Sequence, residues 1–293
     1  MKEKSDISIV VLNYNTSDLL NGALRSIAST AGDLKIEVTV IDNASSDGGF
    51  SRVDSVYKSD ARFRFVQNEK NAGWATVNIM LETKGRYILT LDPDAVLHTG
   101  AMQALVAFMD STPNAGAATA NLRNKDGSAQ MYYRRIMTPA FFFFTTLIGR
   151  IIDKYLLGLR YFKRYRYDGL DVSRVCEIEQ PAIPCLIWRR AAVGDCIIDP
   201  RLAFQFTDVD MCKRLYDLGY KIYLVPDAVA THLKSTSYGR RDSSWRRRVY
   251  NRSIKFYFRK HYPAFFPLFY AIFAVDQALR ALLRYSTLRE PLR

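Results

Sequence analysis

The chain has 293 residues, 48% of them hydrophobic and 24% charged, values that suit a globular protein with a sizeable core and exclude global disorder. Lys and Arg number 42 against 29 Asp and Glu, giving a formal net charge of +13. That balance favours acidic partners (nucleic acid, an anionic membrane surface or phosphorylated substrates) without choosing among them.

The N-terminus, "MKEKSDISIVVLNYN", shows no signal-peptide apolar region and enters a strand almost at once. Residues 7–12, "ISIVVL", read as a buried strand and "LLNGALRSIAS" as a helix. A second strand at 36–42 ("IEVTVID") leads into the loop "NASSDGG", and 62–68 ("RFRFVQN") alternates like a third strand. "WATVNIMLETK" reads as a helix, "YILTLD" as a fourth strand and "GAMQALVAFMDS" as a helix. Strands alternating with helices over short connections predict a parallel sheet covered on both faces.

After about residue 122 the pattern changes. "NLRNKDGSAQMYYRR" is polar and turn-rich, and 138–167 mixes Phe, Tyr, Leu and Ile with Arg and Lys. "CEIEQPAIPCLIWRRAAV" returns to strand character and enters a short helix. Next come an acidic cluster opening a helix that ends at Gly219, the strand "KIYLV", a loop, and His232. Residues 234–260 hold ten Lys and Arg and one acid, Asp242, and 263–288 is apolar, then amphipathic. No apolar run approaches the roughly 20 residues of a spanning helix. Cys176, Cys185, Cys196 and Cys212 form no CxxC pair and histidines number three, so free thiols in a reducing cytosol are expected rather than a zinc cluster.

In open sheets of this kind ligands bind outside the C-terminal ends of the strands. Asn13, Tyr14 and Asn15, then Asp42 and Asn43, then Asn68, Asn71 and Gly73, then Asp92 and Asp94 all follow strands, so they are expected to converge on one crevice. No GxGxxG follows the first strand, so phosphates must be held another way. Asp92-Pro93-Asp94 suits a hard divalent cation, Mg²⁺ or Mn²⁺, whose shell substrate phosphates complete; the alternative is an ordinary Asx-Pro turn. In "TDVD", Asp208 and Asp210 open a helix: one acid is expected as its cap, the other as a general base facing the crevice. His232 is a candidate metal ligand or a structural histidine. Asp42 is placed to bond a base or ribose, or to close an Asx turn, and Tyr14 to stack on a base. The basic tract 234–260, interleaved with aromatics, suits single-stranded nucleic acid, an anionic membrane or a diphosphate-bearing acceptor.

Taken in order, "SIVVLNYNTSDLLNGALRSI", "VTVIDNASSDGG", "NEKNAGWATVNIML", "YILTLDPDAVL", "QPAIPCLIWRRAAV" and "FTDVDMCKRLYDLGYKIYLVPDAVATH" resemble the family 2 inverting glycosyltransferases, most of all their bacterial rhamnosyltransferase branch, over residues 7 to about 260. The resemblance implies a GT-A fold: α/β, a mixed, mainly parallel sheet, with C-terminal amphipathic helices. It divides the chain into a catalytic domain, 1–233 (a nucleotide-sugar half to 121, an acceptor half with the insertion near 138–167), and a membrane-associating extension, 234–293. It implies a nucleotide-sugar donor, dTDP- or UDP-linked, held by Asn13, Tyr14, Asn15, Asp42, Asn43, Asn71, Gly73, Asn78 and Asp92. Asp92 and Asp94 match the family's metal motif, His232 the histidine that often completes it, and Asp208 the catalytic base. Thr207 stands where the family usually has Glu, Thr76 and Val77 where it has glycines, and "QPAIP" where it has "QPAGA". The expected acceptor is a polyprenyl-diphosphate-linked saccharide, the expected location the cytoplasmic face of the cell membrane, peripherally bound, with no nucleic-acid partner. The alternative of another class is a catalytically weak binding protein on this scaffold.

Overall fold

The computed structural model describes residues 5–234 and 242–283. Its N-terminal half runs β1 (Ile7–Asn13), α1 (Ser17–Thr30), β2 (Ile36–Asp42), α2 (Phe50–Tyr57), β3 (Phe63–Gln67), a 3₁₀ segment (Gly73–Glu82), β4 (Tyr87–Leu91), β5 (Ala95–Leu97), α3 (Ala101–Ser111) and β6 (Ala115–Arg123). The second half runs α4 (Pro139–Thr145), α5 (Leu147–Ile152), a π turn (Asp153–Leu157), α6 (Tyr161–Tyr165), β7 (Cys176–Ile178), β8 (Cys185–Arg189), α7 (Arg190–Val193), α8 (Thr207–Asp217), β9 (Lys221–His232), α9 (Ser243–His261) and α10 (Phe266–Leu282).

One sheet gathers all the strands in the order β3-β2-β1-β4-β8-β6-β9-β5, with β7 also on β9. The longest ladders, β1 with β2 and β6 with β9, are parallel, while β8, β5 and β7 pair antiparallel. The fold is therefore α/β with a mixed, mainly parallel sheet. β1 is buried along its whole length, and alternate side chains serve opposite faces. Ile7, Ile9 and Val11 join the core under α1 and α3; Val10 and Leu12 join the core shared with α8.

Three local readings need correction. Residues 74–82 form 3₁₀ turns rather than an α-helix: β-branched Thr76, Val77 and Ile79 disfavour α, and Asn78 is drawn aside to the main chain of Ile198. α8 is capped by neither acid. Phe206, at φ 62, is its N-cap, and Thr207 Oγ1 donates to the Leu202 carbonyl at 2.7 Å. The strand before His232 continues through the expected loop to His232 itself, passing a register shift against β6. Further elements are additional: α2, the three-residue β5, and β6, whose "AGAATANLR" is too alanine-rich to read as a strand yet is almost wholly buried.

A third core joins the 138–167 segment to the C-terminal helices. Met137, Phe142, Tyr165, Phe206, Tyr257, Phe258 and Phe269 pack together, with Phe258 stacked on Phe269 at 4.4 Å. Residues 235–241 of the basic tract and the end of the amphipathic tail from 284 lie outside the described residues. Charge fastens α9 to α8. Asp210, 1% exposed, accepts from Lys260 Nζ at 2.6 Å, His261 Nε2 at 2.8 Å and Arg214 Nε at 3.0 Å. Burial alone would raise the Asp210 pKa, but these partners outweigh it and hold it below the ordinary value. A group depressed in the folded state contributes its full stability above its unfolded pKa and loses it as pH falls through the folded one. Asp210→Asn is expected to cost about 1–3 kcal/mol at pH 7, since the partly buried Lys260 and Arg214 lose a charged acceptor. Urea denaturation of both proteins below about pH 4 should show the gap narrowing as the wild-type carboxylate protonates.

Candidate active site

The geometry begins at the turn after β4. The Asp92 N–H donates to the Pro184 carbonyl and the Ala95 N–H to the Asp92 carbonyl, so the chain reverses within three residues. β5 then pairs antiparallel with the end of β9, Ala95 opposite His232, and the Leu233 N–H donates to the Asp94 carbonyl at 2.9 Å. This register sets the imidazole against both carboxylates. His232 Nε2 lies 3.4 Å from Asp94 Oδ1 and 3.8 Å from Asp92 Oδ2. One ligand atom from each of the three falls within 4.8 Å of the others.

The donor set fits a divalent cation. Two carboxylates supply hard oxygens and the imidazole a nitrogen, ligands that Mn²⁺ or Mg²⁺ accepts. Burial, and then the charge of Asp94, push the Asp92 carboxyl up to about 7 against the pull of His232. Burial opposes charging of His232, but the two carboxylates outweigh it and hold the imidazole above its ordinary value. Gathered negative charge that a cation would neutralise is what such a group should display. Gln130 orients the ring: its Oε1 is 3.0 Å from His232 Nδ1, and its Nε2 donates to the His232 carbonyl at 2.6 Å. With Nδ1 so engaged, Nε2 faces the carboxylates.

A cavity of about 300 Å³ opens over this group. Tyr14, Asn43, Asn71, Gly73, Asp92, Asp94 and His232 line it, so these expected residues do converge. Asn68 Nδ2 donates to Asn43 Oδ1, Asn43 Nδ2 to the Gly73 carbonyl, and the Gly73 N–H to Asn71 Oδ1. Gly73 itself sits at φ +60, and a Cβ there would meet the Ala203 carbonyl oxygen at 2.4 Å, so the turn has room only for glycine.

Other expected residues stand behind the wall. Asn13 and Asp42 are fully buried, joined Nδ2 to Oδ1 at 2.7 Å, and Asp42 Oδ2 accepts the Ser45 N–H in an Asx turn. Asn15, at φ 54, ties the first loop to the second through Ser45 and Ser46. Asn78 spends both ends of its amide on Ile198. Asp208 is outside the cavity lining; it sits in the first turn of α8, where burial raises its pKa against the Val209 N–H and the Gln180 amide, which donates to Oδ2 at 3.3 Å.

Other lining residues were not placed in this crevice by the sequence, although Lys234 and Trp245 belong to the basic, aromatic tract read as a binding surface. Trp74, Phe204 and Trp245 supply an aromatic wall, with Phe204 and Trp245 edge to face at 5.5 Å. Lys234 brings a cation beside the Tyr132 ring, at 5.3 Å. Nothing local marks Gln130, whose partner lies 102 residues away.

Comparisons with known proteins place the chain in a family and a fold. The sequence model of the family described as Glycosyl transferase family 2 matches residues 8–175. An N-acetylglucosaminyl-diphospho-decaprenol L-rhamnosyltransferase of Mycobacterium tuberculosis is 25% identical over 256 residues, 81% of this chain and 79% of that one. An N-acetylglucosaminyltransferase of Azorhizobium caulinodans is 24% identical over 258 residues, 84% of this chain and 59% of that one. Among solved structures, GalNAc-T7 with UDP, GalNAc and Mn²⁺ superposes at TM-score 0.58, with 14% identity, covering 81% of this chain and 45% of that one. TarS 1-349 of S. aureus with UDP-GlcNAc superposes at 0.53, with 19% identity, covering 81% and 61%. The chain thus spans less than two thirds of either structure, and the likeness establishes the GT-A fold.

If Gln130 fixes the imidazole, Gln130→Leu should weaken Mn²⁺ binding by about 10–100-fold, the usual effect of removing such a partner. Titration followed by the electron paramagnetic resonance of free Mn²⁺ reads this directly; an unchanged affinity would remove Gln130 from the site. A family match over more than half the chain, on a fold that these structures share, makes the protein a glycosyltransferase, a member of glycosyl transferase family 2.

Proposed function

We propose that the protein is an inverting, metal-dependent transferase that moves a sugar, L-rhamnose from dTDP-rhamnose as first choice, onto a polyprenyl-diphosphate-linked saccharide in cell-envelope polysaccharide synthesis. The observation that carries this reading is the Asp92–Asp94–His232 group at the floor of an aromatic-walled cavity. The name of the M. tuberculosis relative supports the donor sugar and the lipid-linked acceptor. A UDP-linked donor is the second reading, favoured by the UDP-GlcNAc bound to TarS and by the N-acetylglucosaminyltransferase of A. caulinodans.

The chemistry assigned to the chain's own residues is compact. Tyr14 and the tryptophans stack on the base, while Asn13 and Asp42 stiffen the loops beneath it. Asp92, Asp94 and His232 hold Mg²⁺ or Mn²⁺, which when bound supplies positive charge to the departing diphosphate. Lys234 adds a second cation at the same end. Asp208 takes the proton of the acceptor hydroxyl as that oxygen attacks the anomeric carbon. The bond from that carbon to the diphosphate breaks on the opposite side, so configuration inverts. A carboxylate made more basic by burial is suited to this role.

The proposed location is the cytoplasmic membrane surface, peripherally bound. No helix among the described residues is long and apolar enough to cross a membrane. Exposed Ile151, Leu156, Leu268 and Val275 instead offer apolar contact area on the 138–167 segment and on α10.

A thermal-shift titration with Mn²⁺ and dTDP-, UDP- and GDP-sugars tests the donor site. The matching nucleotide should raise the midpoint by mass action, and Asp94→Ala should lose the shift. Asp208→Asn should keep the shift while kcat falls about 10²–10⁴-fold. No shift with any nucleotide sugar would sink the reading.

A further inference from the structure

A second concave site lies away from the donor cavity. Arg135, Arg160, Lys163 and Arg164 line a cavity of about 660 Å³ floored by the turn at 167–170. Its charges do not cancel. Arg135 Nη1 pairs with Glu179 Oε1 at 2.6 Å, and its guanidinium covers the Tyr167 ring at 4.5 Å. Lys163 Nζ reaches Asp168 Oδ2 only at 3.8 Å, with both side chains 63% exposed, a pair worth little in water. Arg164 lies over the Tyr161 ring at 5.7 Å, and Arg160 makes no ion pair with a described residue. Four cations facing two acids in a concavity will draw an anion.

Two further observations say which anion. The residues leading into the cavity are apolar and exposed: Tyr155 by 68%, Leu156 by 77%, Leu157 by 48% and Leu159 by 44%. The same segment also lines a separate apolar groove of about 210 Å³, where Phe143, Thr146 and Ile148 face Ala271, Ile272 and Val275 of α10. A cationic cavity bordered by an apolar rim complements an amphiphile, a phosphorylated head on a hydrocarbon chain. The cavity is also linked through the main chain to the residue that bonds Asp208, on the opposite face of one short extended pairing. Arg134 and Gln180 form an antiparallel bridge, and Gln180 bonds Asp208; the next pair outward is Arg135 with Glu179.

We propose that this cavity binds the diphosphate of an isoprenoid-linked acceptor, with the rim at 155–159 receiving the start of the hydrocarbon chain. The assignment rests on the reading above that the acceptor is polyprenyl-diphosphate-linked, and it supplies the place where that head group is held. Concavity and charge density favour this ligand over the flat headgroup layer of a bilayer, which needs no pocket.

Farnesyl diphosphate is the probe, titrated by calorimetry into the full chain with EDTA present so that the carboxylate–histidine group cannot hold it through a metal. Saturable binding is expected, weakened at least tenfold in Arg160→Glu/Lys163→Glu and kept in Arg160→Lys/Lys163→Arg. Both substituted side chains are exposed, and the Mn²⁺-dependent nucleotide-sugar shift should be the same in all three proteins. Farnesyl diphosphate binding that survives charge reversal, or is absent from the wild type while the nucleotide-sugar shift stands, overturns the site. So does a charge reversal that weakens only partitioning onto phosphatidylglycerol vesicles, which would make the cavity a bilayer contact. Farnesyl diphosphate binding that behaves as expected alongside a missing nucleotide-sugar shift supports the site and counts against the donor reading alone.

Discussion

The register of one short antiparallel ladder decides what this molecule can do. β5 is three residues long, yet its pairing with β9 sets Ala95 opposite His232 and so brings an imidazole to two carboxylates that precede it by more than a hundred residues. Side chains on a strand alternate between faces, so a slip of one residue would turn His232 away from Asp94 altogether. The constraint is met by neighbours on both sides. β9 is held along most of its length by the parallel ladder with β6, and the turn at Asp92–Asp94 is held by the main chain of Pro184 and Leu233. Gathering like charges at a buried strand end is costly by itself. That cost is visible in the Asp92 carboxyl, which burial and the charge of Asp94 push up to about 7.

The same logic of buried charge recurs at the other end of the acceptor half. Asp210 follows Asp208 by two residues, about 200° around α8, so the two face different environments. Asp210 is surrounded by Lys260, His261 and Arg214 and stays ionised; Asp208 has an amide and a backbone N–H and is made more basic. Two carboxylates in one helix turn are thereby held differently: one is bound by cations and fastens α9, the other is made more basic by burial. The aromatic cluster around Tyr257, Phe258 and Phe269 completes the attachment, so the described C-terminal helices share a core with the body of the protein.

How much of this was legible in the sequence follows from the range of the interactions. β1, β2, β4, α1 and α3 are written in local hydrophobic period, and the polar residues at their ends announce the crevice. The 3₁₀ segment was misread because its apolar spacing suits a helix, whereas Gly73 and the tie from Asn78 to Ile198 set the backbone. β6 was missed because alanine carries no strand preference; it is a strand because small side chains fit between β8 and β9 beneath two helices. Asp92, Asp94 and His232 stood out as residues, but their proximity depends on a ladder that joins distant segments. Gln130 carries no signal of its own, and Lys234 and Trp245 showed only as part of a basic, aromatic tract, since their place at the cavity depends on what the fold sets beside them.

Trp245 has a mechanical consequence. It belongs to the first turn of α9, where Asp242 caps its N–H, and it forms part of the donor-cavity wall with Phe204. The far end of the same helix carries Lys260 and His261 to Asp210. Nineteen residues of α-helix make a rigid rod of about 28 Å. Pivoted at the Asp210 end, a tilt of about 5° would displace the Trp245 end by roughly 2 Å. Because α10 packs on this rod, a load on the protein's apolar flank and the width of the cavity at Trp245 are tied together as the two ends of a lever.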